Sequence, residues 1–297
     1  MGDCLKKITI EITEELSGKD VKHILFKKLN MSAKLVKKLK SYDCGLLLNS
    51  EGVTVRAIVK TGDIFEVNFP EEKSENIVPN NIPLDIIYED EDILAVNKPH
   101  NMPTHPSIHH FHNTLANAVV NYYKDSDFVF RTVNRLDRDT TGIVLIAKNQ
   151  YSAELMCRQI RNREIKKKYL AICCGVPNSV SSTIEAPIRR MNDSIITRTV
   201  AEDGQYAKTD YTVLKSENGF SLVELTPHTG RTHQIRVHMA YIGNPLYGDF
   251  IYGTEISGER TRLHCSSLEF VHPTSGRAIT LTADIPDDFF VKYDFGC

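Results

Sequence analysis

Apolar and polar positions follow a helical period in the first part of the chain and a strand-like period afterwards. Apolar residues recur at helical spacing from Val21 to Leu29, which predicts a helix with one apolar face. Ser32 precedes a second group with the same spacing, so we expect it to cap a second short helix. Strand-like runs bounded by turn residues follow at residues 46–49, 53–59 and 64–69. The pattern predicts a small domain over residues 14–70.

A polar segment separates this domain from the rest of the chain. Residues 71–83 contain two prolines and three asparagines and predict a linker. From residue 84 to residue 297, short strands alternate with a few helices, the clearest helix at residues 151–163. Strands are predicted at residues 142–148, 167–174, 209–215, 220–225, 263–270 and 278–283. Many strands with few crossover helices predict an α+β domain around a mixed, mainly antiparallel sheet.

Composition removes several classes of protein. The 297 residues are 41% hydrophobic, enough for a sizeable core, yet no apolar run approaches the ~20 residues that span a bilayer. The first residues lack the apolar block of a signal peptide. Seven cysteines are an odd number and include no C-x-x-C pair. We expect a cytoplasmic protein that is not disulfide-stapled and has no membrane partner.

Positive charge is concentrated in two places although the net charge is −2. Residues 19–40 contain eight lysines and a single acidic residue, Asp20. Residues 158–168 contain six basic residues and a single acidic one, Glu164. Two separate basic clusters suit a polyanion that is held at two points, although the solvated faces of two helices would give the same pattern.

Residues 134–142 contain the densest group of reactive side chains. Asp137 and Asp139 alternate with Arg135 and Arg138 and are followed by two threonines. A charged loop is one interpretation. The pattern D-x-D-x-T is also that of haloacid-dehalogenase-like phosphatases, in which an apolar strand leads into the first aspartate. Here the apolar strand follows the motif, so the phosphatase interpretation is disfavoured.

Longer motifs resemble one family. Residues 87–99 with the following His105-Pro106 resemble the first motif of the RluA-type pseudouridine synthases. RLDRDTTGIVLIAKN, at residues 135–149, resembles their catalytic motif, and residues 167–171 resemble their K-x-Y-L-A strand. Residues 225–249 resemble their third motif, and the segments around Leu263 and His272 resemble their closing strands. The blocks occur in the family's order across residues 84–283. Residues 14–70 resemble the alpha-L RNA-binding module.

The resemblance implies that the chain converts uridine in RNA to pseudouridine, without a cofactor or a metal. Asp137 is then the catalytic carboxylate, acting at carbon 1 of the ribose, at carbon 6 of the base or on a ribose proton. Arg231 matches the family's arginine that pairs with this aspartate, although an arginine in a surface turn is the alternative. Tyr169 would stack on the base and assist removal of the carbon-5 proton, unless it is only a half-buried strand residue. Asp139 is expected to support the loop.

RNA contacts are expected from further residues. A base in folded RNA must be flipped out, and the resemblance implies that Arg135 enters the space it leaves. Leu263 is expected to form an apolar wall for the flipped base. Phosphate contacts that do not read sequence are expected from Lys98, Arg161, Lys166, Lys167, Lys34, Lys37 and Lys38.

Two residues depart from the family pattern, and a group of histidines invites another interpretation. Asn134 stands where the family usually has histidine, and Asn101 stands where it has glycine, so the turn at Asn101 is expected to require a positive φ. His105, His109, His110 and His112 suggest a metal, but their loop lacks acidic or cysteine partners, so a polar loop facing RNA is favoured. His233 and His238 are expected to orient backbone groups or phosphates.

These features predict a monomeric RNA pseudouridine synthase with no cofactor. Ribosomal RNA of the large subunit is the first candidate substrate and transfer RNA the second. A non-catalytic RNA-binding or ribosome-assembly protein is the alternative from another class. The combination of Asp137, Tyr169 and Arg231 disfavours it, because a protein that only binds RNA has no use for these three residues together.

Overall fold

The computed structural model describes residues 4–70, 76–108, 110–254, 256 and 258–290. The strands are β1 Cys4–Glu11, β2 Leu46–Leu48, β3 Glu51–Gly52, β4 Ile64–Pro70, β5 Ile86–Glu89, β6 Ile93–Lys98, β7 Thr141–Ala147, β8 Lys166–Cys174, β9 Ser181–Glu185, β10 Ile188–Arg190, β11 Arg198–Val200, β12 Lys208–Glu217, β13 Phe220–Pro227, β14 Leu263–Val271 and β15 Ala278–Thr282. The helices are α1 Val21–His23, which continues as a π-helical turn over Ile24–Lys28, α2 Ala33–Lys40, α3 Leu115–Tyr122, α4 Gln150–Arg161 and α5 Gln234–Tyr241, and a 3₁₀ turn lies at Asp287–Phe289.

The N-terminal domain packs α1 and α2 against an antiparallel sheet of order β1-β4-β2-β3. Ser32 caps α2 as predicted, because its side chain accepts a hydrogen bond from the backbone N–H of Leu35 at 3.2 Å. The apolar residues at helical spacing in both helices are buried in the core of the domain. β1 extends the domain to Cys4, ten residues before the predicted start.

The predicted strand over residues 53–59 is wrong. Its carbonyl groups bond the first turn of α1 instead of a neighbouring strand: Ala57 accepts from the N–H of Val21 and Val55 from that of Lys22, both at 2.9 Å. A helix leaves its first N–H groups without partners in the helix, and this segment supplies acceptors for them.

The second domain is built on one large sheet. Within the described residues its strand order is β5-β6-β7-β14-β8-β13-β12-β9, with β15 paired to β14. Neighbouring strands are antiparallel except β7 and β14, which are parallel. The predicted α+β class with a mixed, mainly antiparallel sheet is therefore confirmed. The predicted strands and the long helix occur within a few residues of their expected ends, and β10 and β11 form a separate hairpin.

Helix α4 connects the two domains, because its residues belong to two cores. Tyr151 and Leu155 pack into the core of the N-terminal domain, whereas Met156 and Ile160 pack into the core of the second domain.

Of the predicted linker, residues 71–75 lie outside the described residues. Residues 76–83 lie against the second domain, where Ile77 and Ile82 pack on its core and the side-chain amide of Asn80 donates to the carbonyl of His112 at 2.7 Å. Among the helices of the described ranges, none has the length and apolar character to cross a membrane.

Candidate active site

The loop that carries Asp137 is fixed from both sides. Buried Asn134 donates from Nδ2 to the carbonyl of Ile143 at 2.9 Å and accepts from the N–H of Leu145 at 2.8 Å, so its amide joins the loop to β7. Thr104 Oγ donates to the carbonyl of Leu136 at 2.9 Å. Asn134, which departs from the family pattern, therefore holds the loop that carries Asp137.

Lys98 holds the other end of this loop. Its side chain is buried, and Nζ donates to three carbonyls, those of Pro99 at 2.9 Å, Met102 at 2.8 Å and Arg138 at 3.1 Å. Burial lowers the pKa of Lys98 to about 7. The expected phosphate contact is wrong, because the ammonium group faces backbone oxygens under the loop. Asn101, in the same turn, has φ 54° as predicted.

The arginine beside Asp137 is Arg236, which the sequence analysis missed. Its Nη1 lies 3.4 Å from Asp137 Oδ2. The same guanidinium makes two hydrogen bonds to buried Asp249, of 2.6 and 2.7 Å. Burial alone would lower the pKa of Arg236, but Asp249 and Asp137 raise it. Arg236 lies between Ile235 and Val237 on a helix whose first six residues are all buried. A charged residue at such a position requires an acidic partner, and that requirement was the available signal.

Arg231 does not pair with Asp137, so the pairing predicted from the resemblance is wrong. Its Nε donates to the carbonyl of Tyr206 at 3.0 Å and its Nη1 donates to Gln205 Oε1 at 2.8 Å. Arg231 precedes α5, and its half-buried side chain lies at the rim of the pocket, whereas Arg236 points inward from the first turn of the helix.

His233 begins α5 in a left-handed conformation, with φ 58°. Its Nε2 lies 3.9 Å from Asp137 Oδ2, and its Nδ1 lies 2.8 Å from the hydroxyl of Tyr252. Burial lowers the pKa of His233 even though the Asp137 charge raises it. A strained backbone at a non-glycine residue is typical of functional sites. His238, by contrast, is buried and bonds Thr209 and the carbonyl of Ala186.

Tyr169 is buried on β8 and lines the same pocket as Asp137 and Leu263. Burial raises the pKa of Tyr169 well above its ordinary value, and the charge of Asp137 and a hydrogen bond with the Cys265 thiol act in the same direction. The phenol therefore stays protonated near neutral pH. This supports a role in stacking on a base more than a role as a proton acceptor.

The pocket has a volume of about 610 Å³. It brings together all five catalytic and base-contacting candidates, which are Arg135, Asp137, Tyr169, Arg231 and Leu263. Arg135 is exposed at its mouth. Lys167 also lines the pocket, where burial lowers its pKa. The buried wall and the exposed arginine suit a flat, partly apolar ligand with a charged backbone outside.

The remaining candidates lie elsewhere. Lys34, Lys37 and Lys38 are exposed on α2 and do not line this pocket. Lys166 forms an ion pair with Glu269 at 3.8 Å. Asp139 pairs with the adjacent Arg138 at 3.0 Å, and its expected role in supporting the loop stays a prediction.

Of the four loop histidines, His109 lies outside the described residues. His105 lines the pocket, where its Nε2 lies 3.0 Å from Thr132 Oγ. Among the described residues, no group of three histidine, cysteine or acidic side chains could hold a metal ion.

Comparison with known proteins agrees with the geometry of this pocket. The sequence model of the RNA pseudouridylate synthase family matches residues 92–241, the range that contains Asp137, Tyr169 and Arg236. An uncharacterized RNA pseudouridine synthase of Bacillus subtilis, YjbO, is 39% identical over 265 residues, which are 88% of this chain and 94% of that protein. The ribosomal large subunit pseudouridine synthase D of Zymomonas mobilis is 33% identical, covering 94% of each chain.

Solved structures agree as well. The structure of human RNA pseudouridylate synthase domain containing 1 is 30% identical, covers 70% of this chain and 85% of its own, and superposes with a TM-score of 0.59. Sequence and fold together show that the chain belongs to the RNA pseudouridylate synthase family, the isomerases that convert uridine in RNA to pseudouridine.

Proposed function

We propose that this protein isomerises specific uridines of large-subunit ribosomal RNA and that Asp137 is its catalytic carboxylate. The observation that carries the catalytic assignment is the Asp137 carboxylate in a pocket of nucleoside size, 3.4 Å from the Arg236 guanidinium. The ribosomal target is supported by the relatives named ribosomal large subunit pseudouridine synthase D, from Zymomonas mobilis, Blochmanniella floridana and Xanthomonas campestris.

Different residues of the pocket serve different parts of the reaction. Isomerisation breaks the bond from carbon 1 of the ribose to the base, turns the base and rejoins it through carbon 5. Asp137 must be ionised to act on the ribose or the base, and the guanidinium of Arg236 offsets its negative charge in a partly buried site. The flipped uracil would stack on Tyr169 beside Leu263, so that it can turn without leaving the pocket.

We expect Arg135 to compensate for the flipped base. Its guanidinium is exposed at the mouth of the pocket, two residues before Asp137. A planar guanidinium can stack on the neighbouring bases and bond phosphates at the same time. Extrusion of a base costs a few kcal/mol, and such contacts offset part of this cost.

The experiment is tritium release from RNA that carries label at carbon 5 of uridine. Separate transcripts of large-subunit ribosomal RNA, small-subunit ribosomal RNA and transfer RNA are incubated with wild type, Asp137→Asn and Asp139→Asn. We expect release from the large-subunit transcript with wild type and with Asp139→Asn, because the Asp139 carboxylate pairs with Arg138 and does not line the pocket. Asp137→Asn should release nothing.

Other outcomes identify which part of the proposal is wrong. Release from the transfer RNA transcript alone overturns the ribosomal target. Equal release by wild type and Asp137→Asn overturns the role of Asp137. No release from any transcript would favour the RNA-binding or ribosome-assembly alternative.

A further inference from the structure

The N-terminal domain is attached to the second domain by a packed interface. The ring of Tyr151, on α4, lies 5.7 Å from the ring of Phe69, and its hydroxyl donates to the carbonyl of Leu29 at 3.1 Å. Leu155, one turn further along α4, packs into the same core. The domain therefore shares apolar side chains with α4, which a domain held by its linker alone would not do.

Polar contacts fix the orientation of this interface. The Glu154 carboxylate accepts hydrogen bonds from the Ser32 hydroxyl at 2.6 Å and from the Ser32 backbone N–H. The Arg158 guanidinium donates to the carbonyl of Asn30. Glu154 and Arg158 are one turn apart on α4, and both contact the segment that leads into α2. These hydrogen bonds thus fix the orientation of α2 relative to α4.

Basic side chains continue from this interface to the pocket. Arg161 and Arg163 are exposed at the end of α4. The Arg163 guanidinium lies 5.9 Å from the ring centre of Tyr206, and the carbonyl of Tyr206 accepts the Arg231 hydrogen bond at the pocket rim. Ile160, next to Arg161, also lines the pocket.

The acidic residues of this region are few. Glu154 is bonded to Ser32 and lies 3.8 Å from Arg158, and Glu164, bonded to the Asn162 amide at 2.9 Å, is a single negative charge among the six basic residues of 158–168. The exposed lysines Lys34 and Lys37 of α2 therefore lie at one end of a basic path and Arg231 at the other.

We propose that the substrate RNA lies along this path and that the fixed interface determines which uridine reaches Asp137. The proposal rests on the proposed function. Lys34 and Lys37 hold one segment of the RNA backbone, Arg161 and Arg163 hold the next, and Arg231 receives the strand that enters the pocket. Because the packed and hydrogen-bonded interface holds the two domains in one orientation, the distance between the first segment and the flipped base is set by the fold. The N-terminal domain then sets the distance along the RNA from its lysines to the pocket, a role we call the ruler. Glu154 is a positioning residue, because it holds α2 against α4.

The path itself is tested by the salt dependence of RNA binding. The probe is a fragment of large-subunit ribosomal RNA, and the variant is Arg161→Glu with Arg163→Glu. The slope of log K against log salt should fall by roughly 1.5 to 2, since each phosphate contact contributes about 0.9. The matched control is Lys215→Glu, because Lys215 lies six residues along β12 from Thr209, roughly 20 Å from the strand end at the pocket. Equal slopes for the wild type and the double variant overturn the path.

The ruler is tested by Glu154→Ala, with Glu154→Gln as the conservative variant that keeps an acceptor oxygen. Two substrates are compared, the whole fragment and the short hairpin that carries only the target uridine. For the whole fragment we expect KM to rise at least 10-fold in Glu154→Ala with little change in kcat, partial recovery in Glu154→Gln, and modification of neighbouring uridines. For the hairpin we expect no change, because it does not reach α2.

Two other results would overturn the role proposed for the interface. Equal losses on both substrates would mean that Glu154 only supports the fold, and no loss on either would mean that the interface sets no distance. Both results overturn the ruler. A slope that falls as predicted in the double variant, together with no tritium release by wild type, would disprove the proposed reaction and leave the path intact. RNA binding whose affinity does not depend on salt would mean that these basic side chains neutralise no phosphates, and it would overturn the path.

Discussion

Arg236 serves two carboxylates with one guanidinium. Two of its nitrogens bond Asp249, which is fully buried, and the third faces Asp137. Asp249 also accepts the backbone N–H groups of Ile251 and Tyr252 at 3.0 and 3.2 Å. This second carboxylate fixes the plane of the guanidinium, so that its charge is aimed at Asp137 before substrate arrives. In many enzymes, preorganised charge of this kind lowers the activation barrier more than any other single effect.

We therefore expect different effects from the two arginines. Arg236→Lys keeps a positive charge but cannot make the paired bonds to Asp249 and reach Asp137 as well, so kcat should fall on the order of 100-fold. Arg231→Gln should raise KM with little change in kcat, because Arg231 bonds Gln205 and Tyr206 at the rim. Tritium-release kinetics measure both, and melting temperatures check that both variants fold. A larger loss of kcat in Arg231→Gln would restore the pairing that the resemblance implied.

Lys98 is expected to stabilise the catalytic loop. Lys98→Met removes this donor from three carbonyls: that of Met102 is buried, that of Pro99 is partly buried, and that of Arg138 keeps the Met102 N–H. The free energy of unfolding should fall by about 1–3 kcal/mol, the cost of a buried acceptor without a partner. Urea unfolding measures it, and Lys124→Met, at an exposed position, is the control. A loss of RNA affinity without a loss of stability would instead support the phosphate contact.

At the scale of elements, the loop of Asp137 depends on how closely β7 approaches β14. Gly142 is the second residue of β7 and has φ 106°. A Cβ atom at this position would lie 2.2 Å from the carbonyl oxygen of Cys265 on β14. Only glycine fits there, and its backbone directs the chain from the loop into the sheet.

Gly142→Ala should therefore destabilise the protein by about 4 kcal/mol or more, since it combines a backbone clash with an unfavourable φ. Gly219→Ala separates the two effects, because Gly219 has φ 81° with open space around its Cβ position and should cost only about 1–2 kcal/mol. Chemical unfolding of both variants provides the comparison. Equal losses would mean that the clash is relieved by a small movement of β14.

The local elements were predictable where a side-chain pattern is repeated or a cap is explicit. Ser32 and the helical spacing before and after it predicted α1 and α2 because burial on one face requires that spacing. The run at residues 53–59 has strand-like composition, but its carbonyls are taken by α1, a choice made by tertiary contacts.

Site residues that lie in a recognisable sequence motif were predictable, whereas contacts between residues of separate segments were not. Asp137, Tyr169 and Leu263 were recognised from their own motifs, and the structure brings them together. Arg236 was missed because its partner Asp249 lies 13 residues further along the chain, beyond the end of α5, so the apolar neighbours of Arg236 indicated burial without showing which carboxylate it contacts. Lys98 was misassigned since composition does not distinguish a lysine that faces phosphate from one that faces carbonyls. The cytoplasmic location and the monomeric state stay predictions.

At the scale of the whole molecule, Asp92 connects the two domains. It forms an ion pair with Lys6 on β1 and accepts hydrogen bonds from Ser152 at 2.6 Å, from Asn149 at 2.9 Å and from Thr274. Burial alone would raise the pKa of Asp92, but these donors lower it to about 2. Because the folded pKa is below the unfolded one, the ionised carboxylate stabilises the folded state above about pH 4, and this contribution disappears as the pH falls to about 2.

Asp92→Asn should consequently lower the free energy of unfolding at pH 7 by at most about 2 kcal/mol and reduce the loss of stability between pH 4 and pH 2. Urea midpoints across this range measure both effects. Asp125→Asn, at an exposed position, should leave the pH profile unchanged. A profile of Asp92→Asn parallel to that of wild type would contradict the assignment.

Because α4 contributes side chains to the cores of both domains, it also limits how the protein can be divided for biochemical work. A fragment that starts at residue 84 would uncover Tyr151 and Leu155, which now pack in the other domain, and would leave Glu154 without Ser32. A newly exposed apolar stripe favours self-association, so low solubility of the fragment would reflect the loss of the N-terminal domain and not a defect in the pocket. Replacing Tyr151 and Leu155 by polar helix formers is therefore the first step toward an isolated catalytic unit, whose activity on hairpins could then be measured.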